Sequence, residues 1–148
     1  MTENLDSTDW AIVNELQRDG RMALTKLAQR VNLSSSATTE RVRRLESTGV
    51  ITGYCAIVDL AKVGYLVVAV VRLKYPGNRH DPLHQLLIER SEILECLRTT
   101  GDDCYSLKVA ATSMTHLEDV VDALATFGST TTSVVYSQTL SYRGPVAP

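Results

Sequence analysis

Apolar residues recur along the first third of the chain at the three-to-four spacing of helices. Trp10, Val13 and Leu16, with Ile12, share one face of a predicted helix that Asp6 caps and Asp19-Gly20 ends. Leu24, Leu27, Ala28 and Val31 mark a second helix over about residues 25–31. Asn32-Leu33-Ser34 then makes a tight turn, and Ser34 caps a third helix. Ala37, Thr38, Val42 and Leu45 line that helix's buried side and Gly49 stops it, which leaves Ser35, Ser36, Thr39, Glu40 and Arg43 pointing outwards. Three short helices with a sharp turn between the last two predict a helix-turn-helix domain over residues 1–52.

After Gly49 the period changes. Residues 50–58 are β-prone and broken by Gly53, and they read as a connection or as a strand in their own right; residues 53–64 form the linker. Strands and helices then alternate: strand 66–75, a turn at Pro76-Gly77-Asn78, and a helix opened by Asp81-Pro82 with Leu83, Leu86 and Leu87 inward. Strand 93–100, the turn Gly101-Asp102-Asp103 and strand 105–112 follow. Helix 114–127 places Leu117, Val120, Val121 and Leu124 inward and stops at Gly128, before strand 131–142. The order βαββαβ over residues 65–148 predicts a ferredoxin-like (ACT-like) sandwich, so the whole chain is α+β. The tail 143–148 is expected to be loose. Residues 66–71 and 134–136 fail to alternate, so the helix-free face of the sheet needs a cover. Self-association is the simplest one.

Composition narrows the class. The 148 residues are 44% hydrophobic and 22% charged, which is ordinary for a globular protein. No apolar run is long enough to cross a bilayer, and the first residues, Met-Thr-Glu-Asn-Leu-Asp, lack the pattern of an export signal. Three cysteines, Cys55, Cys96 and Cys104, are odd in number and lack Cys-x-x-Cys spacing, so a reducing cytoplasm is expected. The net charge is −2, and residues 1–50 hold seven basic and seven acidic residues. A surface that meets phosphates must therefore come from clustering, as at Arg41, Arg43 and Arg44.

The third helix carries the chemistry. Arginine can fork onto guanine, serine and threonine can bond base edges or phosphates, and glutamate can accept from cytosine. The expected DNA contacts are Ser34, Ser35, Ser36, Thr39, Glu40, Arg41, Arg43 and Arg44, with Arg43 on a base and Ser35 and Arg44 on phosphates. The plainer alternative is a solvated helix whose arginines pair with Glu40 and Glu46. The preceding helix and turn favour DNA.

Leu5-Asp6-x-x-Asp9-x-x-Ile12-Val13-x-x-Leu16-x-x-Asp19-Gly20-Arg21 resembles the opening signature of the Lrp/AsnC ("feast/famine") regulators. The likeness continues through Leu27-Ala28, Leu33-Ser34, Arg41-Val42-x-Arg44-Leu45-Glu46-x-x-Gly49-Val50-Ile51-x-Gly53-Tyr54 and Thr100-Gly101-Asp102. It implies a DNA-binding domain joined to an effector-binding βαββαβ domain, homodimers that can build octamers, and an amino acid or related metabolite as effector. No other cofactor and no enzymatic activity are implied.

By that resemblance the effector site is the turn Thr100, Gly101, Asp102, Asp103 and Cys104, with Thr131 and Thr132 as further lining. Chemically, such a turn offers backbone N–H groups to a carboxylate and acidic side chains to an ammonium group. The family commonly reads Gly-Asp-Tyr/Phe-Asp there, whereas this chain has Gly101-Asp102-Asp103-Cys104. A hairpin turn without a ligand is the plainer reading of these residues. His80 and His84 lack a nearby third ligand, so no metal is expected. Cys104 has no neighbouring cation and reads as a small, partly buried residue. His116 is expected to be exposed, and Trp10 to be core. Two alternatives come from other classes: a sirohaem-type tetrapyrrole decarboxylase of the same architecture, and a metabolite-sensing module whose DNA-binding half is vestigial.

Overall fold

The first helix begins where the chain supplies its own cap. In the computed structural model, which describes residues 4–77 and 80–148, Asp6 is extended and its carboxylate accepts the Asp9 N–H, opening α1 (Ser7–Arg18). Met1, Thr2 and Glu3 of the N-terminal segment, and Asn78 of the expected turn, lie outside the described residues. Helix α2 (Leu24–Arg30) starts one residue earlier than its periodicity suggests, and α3 (Ser35–Ser47) follows a turn in which Asn32 takes a left-handed φ of 55°. Ile12, Leu16, Leu27, Val42 and Leu45 form the core of this helical unit.

Two residues depart from expectation here. Leu24 is 39% exposed because it stands at the first position of α2, outside the packed face. Trp10 is half-buried and lies outside the core cluster, because α1 turns Asp9, Ile12 and Leu16 inward.

The chain divides into two units. The helical one runs to Ile57 and takes back Leu140–Pro148, and the other is Val58–Thr139. Residues 52–59 have no regular secondary structure, so the strand alternative for the linker is not realised in the single chain. The tail is tied down rather than loose: the Gln17 side chain donates to the Pro145 carbonyl at 3.0 Å.

The second unit contains β1 (Val67–Lys74), α4 (Asp81–Glu89), β2 (Ile93–Arg98), β3 (Tyr105–Ala111), α5 (Met114–Ala125) and β4 (Ser129–Val134). These strands make an antiparallel sheet in the order β2-β3-β1-β4, the expected βαββαβ arrangement. The fold is α+β: helix-turn-helix elements followed by this four-stranded domain. Ala69, Val71, Leu73, Leu107 and Val109 meet Leu83 of α4 and Leu117, Val120 and Leu124 of α5 in one buried cluster. The N-cap position of α4 is His80, not Asp81, without a side-chain capping bond, and Pro82 falls in the first turn, where its missing N–H costs nothing.

Strand β4 is about half as long as its β-propensity suggests. It pairs only with β1, and that ladder ends at Ala69↔Val134. The helix-free face is also less apolar than expected. Val70 and Leu97 lie on it, but so do Arg72, Lys74, Lys108 and Glu95. Among the described residues no helix is long and apolar enough to cross a membrane.

Leu107 is 1% exposed at the centre of the larger core. Leu107→Ala is expected to cost about 2–5 kcal/mol, from lost burial and the cavity left behind. The urea midpoint of the sheet unit, followed by circular dichroism, measures it.

Candidate nucleic-acid interface and sensor turn

The front of α3 is built from hydroxyls. Ser34 Oγ accepts the Ala37 N–H at 3.2 Å, and Thr38 Oγ1 turns inward to donate to the Ser34 carbonyl at 3.0 Å. Ser34 is thus engaged as the cap. Thr39 Oγ1 donates to the Ser35 carbonyl at 2.8 Å, which leaves that oxygen's lone pairs as acceptors towards solvent. Ser35, Ser36, Thr39, Glu40 and Arg43 share one open face of α3. The Glu40 and Arg43 side chains make no hydrogen bond or ion pair with any described residue. This face offers an acceptor-only carboxylate, a donor-only guanidinium and three hydroxyls, and its charges sum to zero.

Arg41 and Arg44 are turned elsewhere. Arg41 Nη1 lies 2.7 Å from both Asp6 Oδ2 and Asp9 Oδ1, and Arg44 Nη2 lies 2.5 Å from Asp9 Oδ2. Their partners are therefore Asp6 and Asp9 of α1, not the Glu40 and Glu46 that spacing along α3 suggests. The same two aspartates form a capping box, with the Asp9 N–H on Asp6 Oδ1 at 2.7 Å and the Asp6 N–H on Asp9 Oδ2 at 3.2 Å. Asp9 is only 1% exposed. A carboxylate so far from water requires counter-charge and donors, and the two guanidiniums with one backbone N–H supply them.

Sequence reasoning missed the role of Asp9. The available signal was a charged residue at a position that shares the inward face with Ile12 and Leu16.

Behind α3, Tyr54 donates its hydroxyl to Glu46 Oε1 at 3.0 Å. Desolvation, then the Glu46 carboxylate, pushes the phenol up to about 12. A Cβ on Gly20 would stand 3.2 Å from the Tyr54 ring, which explains a small residue there.

In the sheet unit the expected sensor turn closes between β2 and β3. Thr99 donates from its N–H to the Cys104 carbonyl at 2.9 Å and from Oγ1 to the Asp103 carbonyl at 2.7 Å. Gly101 has φ +107°, yet a Cβ there would meet nothing within 4 Å. Glycine is needed for the backbone angle and not for close approach. The N–H groups of Gly101 and Asp102 have no partner among the described residues. Thr100, Gly101 and Asp102 are exposed.

Asp103 reaches Arg72 Nε at 3.7 Å on the helix-free face. Cys104 points the other way, packing against the core with its thiol 3.6 Å from the Tyr75 carbonyl. Thr131 sits opposite Arg72 and Thr132 opposite Val71, so the two threonines face opposite sides of the sheet. The turn, Arg72 and Thr131 share one surface; Cys104 and Thr132 do not.

His80 accepts or donates at Nδ1 with the Tyr105 hydroxyl, 2.7 Å away, and its Nε2 lies 3.3 Å from Arg98. His116 is half-buried, in contrast to expectation. Its Nε2 lies 2.9 Å from Glu92 and its Nδ1 3.0 Å from Thr112 Oγ1. The hydrogen bond from His116 holds the Glu92 carboxyl below its usual range. No group of three or more metal-ligating side chains occurs among the described residues.

The Asp9 N–H, and after it Arg41, hold the Asp6 carboxyl below its ordinary value of 3.8. A depressed pKa contributes stability that is present above the unfolded value and lost as pH falls through the folded one. Urea midpoints of the helical unit should hold from pH 7 to about 5 and fall on further acidification. Asp6→Asn should flatten that acid limb, as circular dichroism would record.

Comparison with known proteins matches residues 5–46 to the AsnC-type helix-turn-helix domain and residues 68–145 to the Lrp/AsnC ligand binding domain. The chain is 33% identical over 134 residues to the HTH-type transcriptional regulator LrpC of Bacillus subtilis, covering 90% of this chain and 93% of that one. It is 39% identical over 127 residues to the regulator LrpA of Mycobacterium tuberculosis, covering 85% of each. A feast or famine regulatory protein from M. tuberculosis, solved in complex with L-methionine, superposes with a TM-score of 0.90 at 34% identity, covering 97% of this chain and all of that one.

Proposed function

The chain belongs to the Lrp/AsnC family of DNA-binding regulators, and we propose that it reads its operator through the Ser35–Thr39–Arg43 side of α3. It is a transcriptional regulator with a ligand-binding domain and not an enzyme, so the decarboxylase alternative falls. The observation that carries the proposal is the open face of Ser35, Ser36, Thr39, Glu40 and Arg43, the outward set of a helix whose other side is packed. A free guanidinium, a free carboxylate and hydroxyl lone pairs on a rigid rod are what base edges in the major groove require. The same observation disfavours a vestigial DNA-binding half.

Residues 1–52 would bind DNA, 53–64 link, and 65–148 bind effector and assemble. Unengaged N–H groups at Gly101 and Asp102 suit a carboxylate, and the Asp102 and Asp103 carboxylates suit an ammonium group. An α-amino acid meets both needs, and the relative's L-methionine complex supports that class. Exposed Tyr54, Ile57, Val58, Val134, Val135 and Tyr136 supply apolar surface for a homodimer, which could build octamers in turn. The protein would act in the cytoplasm.

Arg43→Ala is expected to cost roughly 1–3 kcal/mol of operator binding and to relax preference at one base position. Fluorescence anisotropy against a panel of single-base operator variants reads both. Equal loss on every duplex would move Arg43 to the phosphates. For the effector, L-methionine and the other amino acids should raise the melting temperature of the wild-type protein, and Asp102→Ala should abolish the shift. A shift indifferent to that change would place the ligand away from the turn.

A further inference from the structure

We propose that Asp9 is a specificity-determining positioning residue: it holds Arg41 and Arg44 on α1 and leaves Arg43 as the one unpaired guanidinium of the recognition helix. This rests on the reading of α3 as the DNA-contacting element. Of the seven basic residues in positions 1–50, Arg18 and Arg30 pair with Glu15, and Arg41 and Arg44 pair with Asp6 and Asp9. Arg21, Lys26 and Arg43 make no side-chain ion pair with any described residue.

The two kinds of pair differ physically. Glu15 keeps 13% of its side chain exposed, and its partners Arg18 and Arg30 are 73% and 48% exposed. Such pairs yield easily to a competing phosphate. Asp9 is 1% exposed and has no water to fall back on. Releasing Arg41 or Arg44 to a phosphate would remove one of the two guanidiniums that neutralise a carboxylate in the protein interior, and the duplex would have to offset that loss. The clamp is also doubly anchored, because Asp9 is fixed by the capping box that starts α1.

The consequence is a recognition face without net charge, Arg43 against Glu40. Phosphate attraction acts on every sequence alike, whereas base-edge hydrogen bonds do not. By withholding two cations, Asp9 lowers the sequence-independent share of binding and raises the share that depends on fit.

The test uses a duplex that the full-length protein selects from a randomised pool, and a random duplex of equal length. In the wild-type protein, side-chain NMR of 15N-arginine should show the Arg43 signal moving on addition of the selected duplex, with those of Arg41 and Arg44 staying in place. Movement of Arg41 or Arg44 as large as that of Arg43 overturns the proposal. Asp9→Asn should steepen the slope of log affinity against log salt by up to about 1.8, two phosphates at about 0.9 each. It should also narrow the ratio of selected to random affinity. A purely structural pair would lower the melting temperature and leave slope and ratio unchanged, and that result also overturns the proposal. If Asp9→Asn does not fold, the wild-type NMR arm decides alone. Wild-type protein that enriches no sequence and shows no salt-dependent binding would sink the DNA reading itself, an outcome distinct from a clamp that fails while binding persists.

Discussion

A carboxylate sits in the inward face of the first helix, where the helical period calls for hydrocarbon, and the recognition helix is arranged around that fact. Asp9 shares its face with Ile12 and Leu16, so folding the three helices together drives it from water. A charge cannot stay there alone. Arg41 and Arg44, one helical turn apart on α3, converge on it, and Asp6 completes a cluster of two acids and two bases with no net charge. The same contact that neutralises the interior sets the rotation of α3 about its own axis. Val42 and Leu45 then face the core while Ser35, Thr39 and Arg43 face out.

Neutrality recurs on the outer surface. The outward residues of α3 carry one positive and one negative charge among three hydroxyls, and the first fifty residues balance seven bases with seven acids. On the proposed clamp, a protein built this way would rely more on matching donors to acceptors than on the duplex as a polyanion. Such a division suits a regulator that must find few sites among many.

The sheet unit solves a different problem with similar means. The turn between β2 and β3 is fixed by Thr99, which bonds the carbonyls of both Asp103 and Cys104, and by the left-handed φ of Gly101. The loop is held by backbone bonds on its inner side, so the N–H groups at its tip remain unengaged. Cys104 packs against the core beside Tyr75. The acid that meets the helix-free face is Asp103, through Arg72.

Much of this was legible in the letters. Helical spacing, the caps Asp6 and Ser34 and the change of period after Gly49 reveal the order of elements, because these signals act over four residues or fewer. The outward set Ser35, Ser36, Thr39, Glu40 and Arg43 follows from the same period. Strand ends and partners do not. The β-prone run 131–142 is a regular strand only as far as Val134, with one further bond from the Val135 N–H to the Val68 carbonyl at 2.8 Å. Thr131 and Thr132 look interchangeable in sequence, but the pleat sends them to opposite faces. Sequence likewise shows three arginines in four residues, with nothing to mark two of them as engaged. Their acids lie 32 to 35 residues away, and only the packing of α3 on α1 brings the charges within reach. Local order is written in short-range spacing, whereas the pairing of charges is decided by which surfaces lose their water together.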